Sequence, residues 1–156
     1  MKKVLVSLFI FTFTALVVFA DGKQEALDFF NSYVNAANTY SDSVGDMYSP
    51  SAKIIRQVVK PDGSTVDVST DTATYLRQLR LGQVGAKLRH YTNSYTNIEV
   101  TPMSDGRYKV SSLRQPSGET YKLKTYMIVK KQPDGKWLIT EEMMQTKVQT
   151  FLKYAK

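Results

Sequence analysis

Three glycine turns, Ser104-Asp105-Gly106, Pro116-Ser117-Gly118 and Pro133-Asp134-Gly135, cut the C-terminal part of the chain into short segments. Each triad pairs residues that start a turn with a glycine that accepts positive φ, the chemistry of a tight chain reversal. The segments they bound are Leu88 to Met103, Arg107 to Gln115, Glu119 to Lys131 and Lys136 to Met144, the first of them rich in Tyr, Thr, Ile and Val. Strands joined by tight turns run antiparallel, so this spacing predicts a four-stranded meander. Parity then puts Leu88, His90, Thr92, Ser94, Thr96, Ile98 and Val100 on one face of the first strand.

The preceding stretch reads differently. From Lys23 to Tyr40, Ala26, Leu27, Phe29, Phe30, Tyr33, Val34, Ala37 and Tyr40 recur at spacings of three and four, which predicts an amphipathic helix. Asp46 to Pro50 reads as a short helical turn, and Lys53 to Lys60 as a strand. Pro61-Asp62-Gly63-Ser64 then turns the chain into Thr65 to Val68, completing a hairpin. Ser69, Thr70 and Asp71 can each cap a second helix, whose stripe of Ala73, Leu76, Leu79 and Leu81 ends near Gly82 or Gly85. At 156 residues, 42% hydrophobic and 22% charged, the chain suits one domain with its own core. The predicted class is α+β: a curved antiparallel sheet whose concave face is covered by N-terminal helices, because only then do both apolar surfaces become buried. A cavity between the layers is the expected ligand site.

The first twenty residues stand apart. Lys2 and Lys3 precede an apolar run from Val4 to Phe19, and Val18 and Ala20 are small enough for signal-peptidase subsites. Residues 1–20 are therefore predicted to be a signal peptide cleaved near Ala20, leaving residues 21–156 as an exported domain, periplasmic or secreted. An uncleaved anchor is the alternative, since the apolar run is close to the shortest that spans a bilayer. The chain has no cysteine, which excludes a lipoprotein anchor, disulfide staples and thiol chemistry. Ten tyrosines remain after the leader, whereas four of the seven phenylalanines leave with it. Tyrosine suits the wall of a wet pocket.

Met47-Tyr48-Ser49-Pro50-Ser51-Ala52-Lys53-Ile54, the closing segment YMIVKKQPDGKWLITE from Tyr126 to Glu141 and, more loosely, Ser69 to Leu79 carry a resemblance. In this order they resemble the cone-shaped nuclear transport factor 2-like superfamily, which includes ketosteroid isomerases, scytalone dehydratases and SnoaL-like polyketide cyclases. The resemblance spans nearly all of residues 21–156 and implies a helix-covered, curved sheet around a pocket. It also places Arg56 where the ketosteroid isomerases keep their proton-abstracting aspartate. An arginine is no general base near neutral pH, so that reaction is not implied.

The expected pocket residues are Tyr33 and Tyr40, seven apart on one helical face, together with His90, Trp137 and Glu141. His90 is the sole histidine and could serve acid–base work. Parity groups Glu141 with Trp137, Ile139 and Met143, making it a better cavity candidate than Glu142. A basic patch is expected at Arg77, Arg80, Lys87 and Arg89; export directs it toward anionic lipid, glycan or protein rather than nucleic acid. Tyr126 and Ile128 on an otherwise lysine-rich strand face could form a homodimer surface. No phosphate loop, HExxH or GxSxG occurs, and neither a metal nor a cofactor is expected.

The function expected from these residues is non-catalytic binding of a small apolar or amphipathic molecule. A membrane-anchored envelope assembly module with an envelope protein partner is the alternative, as in the periplasmic domain of an inner-membrane component of type IV secretion systems. A lyase or isomerase using His90 or Glu141 is the third reading, favoured if those two share a buried pocket.

Overall fold

The computed structural model describes residues 5–155, with side chains for residues 21–155. Of the predicted leader, residues 1–4 lie outside the described residues and residues 5–20 are described as helical backbone alone. Helix α1 spans Leu5–Asn38, and the amphipathic stretch expected from Lys23 forms its C-terminal part. A 3-10 helix, Asp42–Met47, leads into strand β1 (Tyr48–Val59), which pairs antiparallel with β2 (Thr65–Thr70). Helix α2 (Thr72–Leu88) follows, and then β3 (Asn93–Pro102), β4 (Tyr108–Pro116), β5 (Leu123–Lys131) and β6 (Trp137–Thr146). A second 3-10 helix, Gln149–Tyr154, closes the described chain.

The six strands form one sheet in the order β2-β1-β6-β5-β4-β3. The predicted meander is present, with β3, β4, β5 and β6 antiparallel in turn. The sheet is not antiparallel throughout, because β6 returns beside β1 and pairs with it in parallel. This return unites the early hairpin with the meander in one mixed sheet. Its inner face packs on α1 through Ala26, Phe30 and Tyr33, which meet Tyr48, Ile54, Tyr108, Val110, Met127, Val129 and Ile139 in a single core. Gly22 permits the close passage of α1 over β4, since a Cβ there would collide with the Tyr108 hydroxyl. Asp71 is the cap of α2, accepting from the Thr74 amide at 2.8 Å, while Ser69 and Thr70 belong to β2.

Three local features differ from expectation for identifiable reasons. Pro50 does not end a helical turn but lies in β1, where the pairing with β6 shifts register between Tyr48 and Lys53. Helix α2 passes through Gly82 and Gly85 and stops instead at a hydrogen-bonded cap: the Tyr91 amide donates to the Ala86 carbonyl and the His90 amide to that of Lys87. Leu88 and His90 are therefore the end of a helix and its left-handed terminator, with His90 at φ +50°, and not part of a strand. Strand β3 also carries an irregularity between Thr96 and Glu99, with Asn97 at φ +53°. The extra residue reverses the alternation, so Tyr95 and Val100 pack against the core while Ile98 is exposed.

Candidate functional site

Strand β6 carries the second parity reversal, and it decides the site. Ile128 pairs with Glu141 and Val129 with Ile139, so Thr140 is an extra residue in a bulge. Ile139 and Glu142, three apart, consequently face the same way, both 0% exposed. The inward carboxylate is Glu142, not Glu141 as simple alternation predicts. Glu141 accepts a hydrogen bond from the Tyr126 hydroxyl at 2.7 Å on the opposite face of the sheet. Burial and that carboxylate push the Tyr126 phenol above its ordinary value.

A carboxylate cannot be buried alone at this depth without paired charge and hydrogen bonds. Arg56 of β1 supplies the charge, its Nη1 standing 2.7 Å from Glu142 Oε1. The Tyr48 hydroxyl donates a short hydrogen bond to Glu142 Oε2 and lies 3.3 Å from the hydroxyls of Tyr33 and Tyr75. Arg56 also lies over the Tyr75 ring, 4.9 Å from its centroid. Burial opposes the Arg56 cation, but the adjacent Glu142 charge outweighs it and raises the pKa above the ordinary arginine value. Burial first, and the Glu142 charge second, drive the Tyr33 and Tyr48 phenols well above theirs. Both oxygens of Glu142 are thus occupied, which suits an anchor for cavity-wall side chains more than a free base.

Above this anchor opens a cavity of about 1030 Å³ between α2, the end of α1, the sheet and the C-terminal 3-10 helix. Tyr33, Tyr40, Tyr75, Val44, Leu79 and Phe151 contribute to its walls. Tyr33 and Tyr40 are therefore brought together, as their helical spacing predicts. Tyr40 gets there as the left-handed terminator of α1, with φ +58° and the Ser41 amide donating to the Ala36 carbonyl.

The other expected site residues lie elsewhere. His90 is exposed beyond α2 and lines no part of the cavity. Trp137 packs on Tyr108 and donates to Glu25 on α1 at 3.1 Å, outside the cavity. His90 and Glu141 do not share a pocket. Of the basic patch, Arg77 and Arg89 stand on the cavity rim, whereas Arg80 and Lys87 face solvent away from it. Among the described residues no group of carboxylates and histidine could hold a metal ion.

Four important residues were not singled out from the sequence as pocket residues: Tyr48, Arg56, Arg114 and Glu142. Arg114 carried a visible signal. It continues the inward parity of Tyr108, Val110 and Ser112 along β4, a charged residue at a core position. Glu142 carried none, because a bulge that reverses parity leaves no mark in the residue types beside it.

No family profile matches this chain, and no curated protein matches it. Solved structures do match it in fold. An NTF-2 like protein of unknown function from Shewanella oneidensis aligns with a TM-score of 0.59 at 16% identity, covering 79% of this chain and 98% of that one. A domain of unknown function with a cystatin-like fold from Nostoc punctiforme aligns at 0.57 with 14% identity, covering 84% and 83%. A candidate scytalone dehydratase from Novosphingobium aromaticivorans aligns at 0.57 with 16% identity, covering 85% and 86%. A six-stranded curved sheet wrapped on its concave side by helices, with neighbours of this kind, is the cystatin-like, NTF2-like cone fold.

Proposed function

We propose that the chain is an exported binding protein that takes a small apolar or amphipathic molecule into the cavity between its helices and sheet, without catalysing a reaction on it. The carrying observation is the cavity itself, about 1030 Å³ and walled by tyrosines and aliphatic side chains. Such a volume and lining suit a drug-sized or lipid-sized ligand. Its floor supports binding over catalysis: Glu142 is saturated by Arg56 and Tyr48, and His90 and Glu141 stand outside the cavity. Export rests on the basic start, apolar run and small residues before Asp21.

Native mass spectrometry on protein recovered from its own cells tests both parts at once. The expected result is a chain beginning at Asp21 that carries a small-molecule mass. A chain retaining Met1 to Ala20 and carrying only protein partners would overturn this reading in favour of an anchored assembly module.

A further inference from the structure

The cavity holds an unbalanced charge. Arg56, Arg77, Arg89, Arg114 and Lys153 line it, and no aspartate or glutamate is among the lining residues. Arg56 is neutralised from below by Glu142. Arg114 is not: it is 5% exposed and, among the described residues, has no carboxylate within ion-pairing distance. Its Nη1 donates to Asn93 Oδ1 at 2.7 Å and to the Tyr91 hydroxyl at 3.4 Å, and its Nη2 donates to the Gln145 carbonyl at 3.0 Å. A guanidinium has five N–H donors, so two remain, and Nε is buried with no acceptor. The Ser112 hydroxyl, two residues back on the same face of β4, is likewise buried and unpaired.

Such a group is costly to keep unless something negative meets it. The surroundings also hold it rigidly. Asn93, which accepts from Arg114, is itself clamped to the end of α1, its amide donating to Asn38 Oδ1 and its carbonyl accepting from Asn38 Nδ2, each at 2.9 Å. The guanidinium is thus oriented before any ligand arrives, as a recognition group requires.

We propose that Arg114 is the anchor for the acidic end of the ligand, and that this cavity selects amphipathic anions, carboxylates or sulfonates with an apolar body, over neutral molecules of the same shape. This rests on the binding reading above and narrows its ligand class. The anionic group accepts from the remaining Nη2 donor of Arg114, while the apolar body lies along Ala37, Val44, Leu79, Ala86 and Phe151. Arg77, Arg89 and Lys153 at the exposed rim draw anions toward the mouth.

A matched pair of fluorescent probes tests this: anilinonaphthalenesulfonate, an anion, and phenylnaphthylamine, the same aromatic body without the sulfonate. The intact protein is expected to bind the sulfonate about tenfold more tightly, the scale of one charged hydrogen-bonding contact. Arg114→Met should erase that preference by weakening sulfonate binding about tenfold, with phenylnaphthylamine still bound. Equal affinities in the unaltered protein, or a preference that survives in folded Arg114→Met, would overturn the proposal and leave the cavity reading standing. If neither probe binds, the cavity reading falls with it. A salt titration of the unaltered protein keeps the test decisive should the variant not fold. A buried anchor retains its preference at about 1 M salt, whereas attraction by the rim cations alone is screened there and its loss counts against Arg114.

Discussion

Arg56 and Arg114 point into one cavity from strands on opposite sides of β5 and β6, yet the interior treats them differently. Arg56 is met by a fully buried carboxylate, a tyrosine ring and a web of hydroxyls. Arg114 is met only by neutral acceptors, a side-chain amide, a phenol and a backbone carbonyl. The first arrangement is closed, and its parts stabilise each other whether or not a ligand is present. The second is open by one negative charge. Structural and ligand-binding arginines can therefore be told apart by their counter-charges and not by burial, since Arg56 is the more exposed of the two.

The comparison breaks most sharply at Glu142. Glu142→Ala strands Arg56 as an uncompensated buried cation and removes the acceptor of Tyr48, so equilibrium unfolding in urea should show a loss of about 3–5 kcal/mol. A loss below about 1 kcal/mol, the size expected of an exposed pair, would show that Arg56 and Glu142 are solvated.

Alkaline pH probes the same closed network from the tyrosine side. The folded protein holds the Tyr33 and Tyr48 phenols protonated well above their ordinary range, through burial and the Glu142 charge. A raised folded value means that the folded state keeps these protons more tightly than the unfolded chain. The associated stability is complete below about pH 10, the ordinary phenol value, and is lost as pH rises through the folded values. Absorbance titration should show these tyrosines ionising only as the protein unfolds, and Tyr48→Phe should reduce the alkaline slope of stability. The direct cost of that variant is about 1.5–3 kcal/mol, for one hydrogen bond to a charged acceptor.

How much of this was legible in the sequence depends on whether the signal was local. The glycine turns and the α1 stripe are local, and the meander and helix they predict are present. The resemblance of Met47 to Ile54 and Tyr126 to Glu141 carried the helix-covered, curved sheet but not the parallel pairing of β1 with β6. Two of the misread site residues, Glu141 and His90, share one cause, because each depends on where alternation breaks, whereas Trp137 faces inward with Ile139 as expected but packs on Tyr108 and Glu25 beyond the cavity. A bulge at Thr140 exchanged Glu141 for Glu142, and a helix cap took His90 out of its supposed strand. Bulges are set by pairing with a distant strand, so residues beside them do not announce their orientation. Arg114 obeyed alternation and could have been found by it.

Arg114→Met sharpens the comparison by its small effect on stability. Removing the guanidinium leaves Asn93 Oδ1 with only the Tyr91 hydroxyl at 3.4 Å and takes one donor from the Gln145 carbonyl, which destabilises, but it also removes an unpaired buried charge, which stabilises. The two are of similar size, and the net change in urea unfolding should stay within about 1 kcal/mol. A loss as large as that of Glu142→Ala would mean that Arg114 is a structural group like Arg56.

The smallest effect comes from the ends of the two helices, which separate strain beside the cavity from strain away from it. Tyr40 and His90 occupy equivalent positions, each the left-handed residue after a helix, where glycine is the common choice. A side chain there costs about 1–2 kcal/mol, since its Cβ crowds the following carbonyl. At His90, exposed and outside the cavity, nothing in the surroundings offsets that cost. His90→Gly should therefore stabilise the protein by about 0.5–1 kcal/mol, part of the relief being returned through the freer unfolded chain. It should also leave both probe affinities unchanged. Tyr40→Gly relieves the same backbone strain but strips an aromatic wall from the cavity, so it should gain similarly little stability while weakening both probes. Stability scans and probe titrations on the two variants would separate these roles, and equal probe binding by both would remove Tyr40 from the site.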